Sequence, residues 1–205
     1  MLDFMMSEKH AISILKKDHD TVKELFDRFE KAESSSEKER IIERAITELK
    51  MHAVVEEEIF YPTVRKRVGS DVMNEADEEH HVAKVLIAEL DFNRGGGDHR
   101  DAKFTVLAES VRHHIKEEEN EMLPKAKELD IDFEELGQRM LDRKKELKKD
   151  GIPKDAEHTM VAQARGKGES PAAASRKRAP SAKTAHKSGA THSRTPKGDI
   201  SHASH

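Results

Sequence analysis

The sequence predicts an all-α fold: an antiparallel up-and-down four-helix bundle followed by one further helix and a disordered tail. Three observations carry this. Apolar residues recur at helical spacing through five successive segments, and no segment alternates in the manner of a strand. The links between these segments are short, so neighbours in sequence must run antiparallel. The second pair of helices also repeats the plan of the first, as a duplicated αα-hairpin would.

Each element has its own signals. Ser7 precedes AISILKKDHDTVKELFDRFEKAE, whose Ile12, Leu15, Val22, Leu25, Phe26 and Phe29 fall on one helical face. SSSEKER opens the second helix, which carries Ile41, Ile42, Ala45, Ile46, Leu49, Ala53 and Ile59. It is expected to end or kink at Pro62, with Gly69 as a stop. The third, SDVMNEADEEHHVAKVLIAELDFN, is broken by Gly95-Gly96-Gly97. Asp98 is expected to cap the fourth, through Phe104, Val106, Leu107, Val111 and Ile115, which is disrupted near Pro124. A fifth amphipathic helix spans Asp132 to about Lys149.

Composition divides the chain. From Arg165 to His205 nine Lys/Arg face only Glu169 and Asp199, a charge of +7, which leaves −11 for residues 1–164 of the total of −4. This end is rich in Ala, Ser, Pro, Thr, Lys and His, with Ile200 its only large aliphatic residue. It cannot bury enough apolar surface to offset its ordering entropy. The expected organisation is a domain over 1–150, with its motifs in 9–128 and the last helix near 132–149, and a disordered basic tail over 151–205. With no cysteine, disulfides and thiolate metal sites are excluded. The start MLDFMMSEKH has neither the basic opening nor the apolar run of a secretory signal, and no later stretch reads as a membrane span. A cytoplasmic protein is expected.

The informative pattern is a repeat. HAVVEEEIFYP, His52 to Pro62, returns in outline as HIKEEENEMLP, His114 to Pro124. The preceding helices align too: matching His19 to His80 pairs Lys23 with Lys84 and Leu25 with Leu86. Each unit therefore holds one His on its first helix and His-x-x-x-Glu on its second. Residues four apart on a helix point from nearly the same face. Neutral imidazole and carboxylate together suit iron, manganese or zinc, and carboxylates can bridge two metals in a bundle core. His19, His52, Glu56, His80, His114 and Glu118 would supply four imidazoles and two carboxylates, a count that suits a non-heme di-iron centre.

A single His-x-x-x-Glu on so charged a helix is usually a solvated pair; its recurrence in register separates this case from that one. His81 competes with His80, because the two lie at opposite edges of the same buried arc, and the repeat register favours His80. Glu57, Glu58, Glu119 and Glu121 are expected at the surface, with Glu57 and Glu119 next in line as ligands. Tyr61 is expected to pack at the bundle end, a hydroxyl beside the site being the sharper alternative. His10, His99 and His113 have no partner in the repeat and are read as surface residues.

ISILKKDHDTVKELF, HAVVEEEIFYP, EEHHVAKVLIAEL and HIKEEENEMLP, in this order over roughly residues 9–128, together resemble the bacterial hemerythrin-like HHE proteins. The resemblance implies a four-helix bundle around two non-heme, carboxylate-bridged irons, held by His19, His52, Glu56, His80, His114 and Glu118. It departs from the oxygen-carrying hemerythrins at two points. Their third helix has His-x-x-x-His, where this chain has Ala76 or Asp77 four residues before its histidines, and their last ligand is an Asp spaced one residue later than Glu118. A missing fifth histidine leaves room for a carboxylate, water or substrate. The expected function is binding of, or reaction with, oxygen, peroxide or nitric oxide, or the sensing of iron or oxygen. The other reading is a regulatory module whose basic tail contacts nucleic acid non-specifically, with strong salt dependence, while the bundle senses or holds a single metal.

Overall fold

The computed structural model describes residues 7–92 and 99–168, and all regular structure among them is helical. The helices are α1 (Ala11–Lys31), α2 (Ser35–Val55), α3 (Tyr61–Val68), α4 (Ser70–Phe92), α5 (Arg100–Glu117), α6 (Leu123–Lys127), α7 (Phe133–Asp150) and α8 (Ala156–Gly168). α1 packs on α2 and α4 on α5, and contacts of α1 with α5 and α2 with α4 close the ring of four. α7 lies across α1 and α2, and α8 lies on α4.

Local chemistry sets the helix ends. α2 starts as expected, with Ser34 Oγ accepting from the Glu37 N–H at 3.3 Å. α1 does not begin at Ser7: residues 7–10 form a turn, and His10 is the cap, its Nδ1 accepting from the Ile12 N–H. His10 also stacks on Phe133 at 4.8 Å, so it joins α1 to α7 instead of standing spare at the surface. Asp132 caps α7 through the N–H groups of Glu134 and Glu135. The expected cap Asp98 and the triple glycine lie outside the described residues, as does the basic segment from residue 169 onward.

Pro62 and Pro124 do not end their helices. A proline within an α-helix lacks an N–H, and its ring collides with the carbonyl four residues back. The chain relieves this with one π turn at each place, Glu56–Phe60 and Glu118–Met122. The N–H of Tyr61 reaches back five residues to the Glu56 carbonyl, and that of Leu123 to the Glu118 carbonyl. The second helix of each hairpin thus continues, bent, into α3 or α6. α3 then stops at Gly69, whose φ of +116° suits glycine. Residues 156–168, within the stretch read from sequence as tail, form α8.

The core is divided. One apolar cluster centres on Phe60, Val64, Met73, Met122, Leu123 and Met140, the other on Phe26, Phe29, Ile42, Leu90, Phe104 and Leu107. Along α1 and α4 the clusters meet across His19 and His80, and along α2 and α5 the boundary lies one residue from His52 and His114. At the far end Arg100 is buried, its guanidinium forked onto Glu39 at 2.6 and 2.7 Å while donating to the Leu90 carbonyl. It ties α2, α4 and α5 together. Arg100→Ala is expected to lower stability by roughly 2–3 kcal/mol, less than breaking a fully enclosed pair because Glu39 keeps some access to water. Chemical denaturation measures this.

Candidate metal centre

The polar layer between the two apolar clusters brings together the six residues singled out from the sequence. His19, His52, Glu56, His80, His114 and Glu118 are all buried, Glu56 completely. They form two groups that share Glu56: His19, His52, Glu56 and Glu118, and Glu56, His80 and His114. Glu56 places one oxygen 3.0 Å from His52 Nε2 and the other 3.3 Å from His80 Nε2. Glu118 Oε2 lies 3.1 Å from His19 Nε2 and 3.9 Å from His114 Nε2. The π turns begin at the two glutamates, so the backbone irregularity sits where the carboxylates enter the core.

His80, not His81, faces the centre. His81 is rotated away and meets Glu157 of α8 at 2.8 Å. His113 is exposed, pairing with Glu117 at 3.1 Å.

Each ring turns its Nε2 inward and its Nδ1 toward a carboxylate. His19 meets Glu119 at 3.0 Å, His52 meets Asp18 at 3.4 Å, His80 meets Glu57 at 2.8 Å and His114 meets Glu79 at 2.7 Å. Such carboxylates fix the tautomer and angle of a ligating imidazole. They follow the repeat, since Asp18 and Glu79 precede equivalent histidines and Glu57 and Glu119 follow equivalent glutamates. Glu57 is exposed, as expected, and Glu119 half-buried, yet both bond ring nitrogens instead of serving as further ligands; Asp18 and Glu79 have no role in the sequence analysis, and alignment of the two units finds all four. Lysines form the next layer: Lys84 bonds Glu57 at 2.6 Å, Lys23 bonds Glu119 at 3.3 Å, and Lys144 of α7 bonds Asp18. This gives the fifth helix a role, because it steadies Asp18 behind His52.

Tyr61 breaks the symmetry, for its counterpart in the other unit is Leu123. The ring is buried, and its hydroxyl takes the alternative position beside the site, 3.1 Å from Glu118 Oε1, 3.2 Å from His80 Nε2 and 3.5 Å from His114 Nε2. The phenol thus stands between the groups, beside both imidazoles of the three-donor group and bonded to Glu118 of the four-donor group.

The electrostatics express a demand for positive charge. Burial lowers the His52 pKa, but the Glu56 carboxylate and a bond to Asp18 outweigh it and push it up to about 10. Burial likewise opposes the shift of His80, which bonds to Glu56 and Glu57 push up to about 9. Burial raises Glu56, yet the charge of His52 and the two imidazoles that face its oxygens hold it well below the usual carboxylate range. Tyr61 is raised well above its ordinary value by burial and by Glu118. Protons on the rings answer this demand without a cation, and a cation would displace them.

A cation test follows from atoms without partners. His19 Nε2, His52 Nε2, both Glu56 oxygens and Glu118 Oε2 are buried and make no well-aligned hydrogen bond, although imidazole nitrogens and carboxylate oxygens face one another there at 3.0–3.3 Å. Buried polar atoms are nearly always satisfied, so five orphans in one layer need an explanation. The donor atoms of each group lie within 4.8 Å of one another. Opposed nitrogen and oxygen ligands of one first-row cation, at about 2.0–2.2 Å each, stand about 4.0–4.4 Å apart. The residues fit.

A helical bundle with a buried layer of four imidazoles and two carboxylates is a cation-binding bundle. The chain belongs to the hemerythrin family: residues 10–126 match the family described as the hemerythrin HHE cation binding domain. Among solved structures it is similar to the hemerythrin HHE cation binding domain-containing protein that is the Rv2633c homologue from Mycobacterium kansasii. The identity is 22%, over 78% of this chain and 94% of that one, with a TM-score of 0.58, a likeness of fold. Comparison with curated proteins gave no match. α7 and α8 lie beyond the residues that match the family. No helix among the described residues is long and apolar enough to cross a membrane.

Proposed function

We propose that the chain is a non-heme di-iron protein that binds or reacts with a small oxidant or diatomic molecule: oxygen, peroxide or nitric oxide. The observation that carries this is the pair of donor groups sharing Glu56, whose two oxygens face different histidines. His19, His52, Glu56 and Glu118 would hold one iron, and Glu56, His80 and His114 the other. Nitrogen and oxygen donors without thiolate suit iron, and a pair of irons held by these residues would supply electrons to, or a binding position for, a small ligand. The three-donor group has the fewer protein ligands, so a small molecule would approach there. Tyr61 points its hydroxyl into that side and can donate a hydrogen bond or a proton, while the carboxylates on Nδ1 keep the rings in place.

The test is iron content and optical absorption of the wild type and of His52→Ala combined with His114→Ala, before and after oxygen, peroxide or nitric oxide. The wild type is expected to hold about two irons per chain and to change its spectrum with at least one of these ligands. The double variant should have neither property. A wild type indifferent to iron, or a double variant that behaves like it, removes the proposal. Removing a supporting carboxylate should do less: Asp18→Ala or Glu79→Ala is expected to lower metal affinity about 10–100-fold, measured by chelator competition.

The basic segment favours a second reading. Nine Lys/Arg against two acidic residues would attract polyanions in a salt-dependent manner. DNA retention by the full chain and by residues 1–168, compared at low and moderate salt, decides it; equal retention ends it.

A further inference from the structure

A cavity of about 130 Å³ opens between α2 and α4 beside the histidine layer. His52, His80 and His114 reach its inner end. Its walls are Leu49, Ala83, Ile87 and Val111, and Ile152 and Pro153 of the five-residue link between α7 and α8 line it as well, leaving it partly open. This link is held at both ends. Gly151, at a φ of +92°, caps α7 by donating its N–H to the Leu147 carbonyl at 3.0 Å. Asp155 caps α8, its carboxylate accepting from the His158 N–H at 2.7 Å. α8 is in turn fastened to α4 through Glu157 and His81, the neighbour of His80.

Resting on the di-iron reading, we propose that residues 151–155 form the outer wall of a ligand chamber on the His80 and His114 side, and that the chamber takes uncharged molecules of a few heavy atoms.

Size and charge both argue for this class. Drug-sized ligands occupy pockets of about 300–1,000 Å³, whereas an apolar cavity of about 150 Å³ takes up xenon or benzene. Most charged side chains that line it are already engaged: Lys84 with Glu57, Lys50 with Asp91, Glu58 with Arg143, Glu79 with His114, and Asp155 with the His158 N–H; Lys154 stands exposed on the link. Apart from Lys154 on the exposed link, the lining offers a charged ligand no open partner, whereas an apolar one gains the wall residues. The same arrangement gives the C-terminal helices a purpose, since α7 steadies Asp18 and the link to α8 covers the approach.

Xenon tests the chamber without any metal. In the metal-free full chain, xenon under pressure is expected to shift the methyl resonances of Leu49, Ile87 and Val111 saturably. Ala83→Leu fills the space and should weaken this about tenfold or more, with helical circular dichroism unchanged. Ile152→Gly with Pro153→Gly removes the wall and should weaken it about fivefold. No saturable shift in the wild type, or an unaltered affinity in the wall variant, overturns the proposal. A second arm uses the iron-loaded chain. Ala83→Leu should keep its iron yet bind nitric oxide about tenfold more slowly, and an equal rate overturns the chamber as the route. Xenon binding in a chain that takes up no iron would instead sink the di-iron reading while leaving the chamber in place.

Discussion

Glu56→Gln is expected to reduce bound iron from about two per chain to a small fraction of one. Glu56 is the one residue common to both donor groups, and its two oxygens lie 3.0 and 3.3 Å from the histidines of different groups. An amide keeps the shape but offers one neutral oxygen and an NH₂ that repels a cation. It removes charge from both positions at once. His19→Ala, which touches only the four-donor group, should leave the other partly filled. Metal analysis and thermal melting report the difference. Free iron a thousandfold above its dissociation constant stabilises a native site by about 4 kcal/mol. In a chain of this size that amounts to roughly 8–16 °C in Tm. The Gln variant should lose this gain and keep its helical spectrum; a variant loaded like the wild type would show that Glu56 is not shared.

Gly137→Ala is expected to destabilise the chain by about 3 kcal/mol, or roughly 6–12 °C. Alanine for glycine in an exposed helix normally stabilises by up to about 1 kcal/mol. At Gly137 the added Cβ would lie 1.8 Å from the Lys9 carbonyl oxygen and 2.8 Å from the Ala11 nitrogen. Both are backbone atoms at the start of α1 and cannot swing aside, so the collision outweighs the helix gain. Relief requires α7 to lift from α1, against the stack of His10 on Phe133 and the bond from Ser7 to Glu134. Such a shift would also draw Lys144 from Asp18. The variant should therefore bind metal more weakly although it lies outside the donor layer. Calorimetry and chelator competition on one preparation measure both effects, and a raised Tm would contradict this packing.

The donor layer was legible because duplication repeats what function needs. His52/Glu56 and His114/Glu118 recur in register, and the single histidines on the preceding helices complete the set. Helix starts at Ser34 and Asp132 followed from capping chemistry, whereas α1 begins at His10, a less usual cap whose ring is held by Phe133. Proline signalled an irregularity at 62 and 124 but not its kind. A break and a π turn both satisfy a missing N–H, and only packing of α3 and α6 selects the second. The supporting carboxylates were hidden by abundance: in a helix with three adjacent glutamates, burial separates Glu56 from Glu57, and burial depends on partners distant in sequence. His80 and His81 were ambiguous because α8, which receives His81, lay in a stretch whose composition read as tail.

The most direct test of the shared-site account is anomalous diffraction at the iron edge from crystals of the iron-loaded full chain. Two peaks are predicted, one among His19, His52, Glu56 and Glu118 and the other among Glu56, His80 and His114. A single peak, none, or a peak confined to the partly exposed group Glu79, His113 and Glu117 would contradict it.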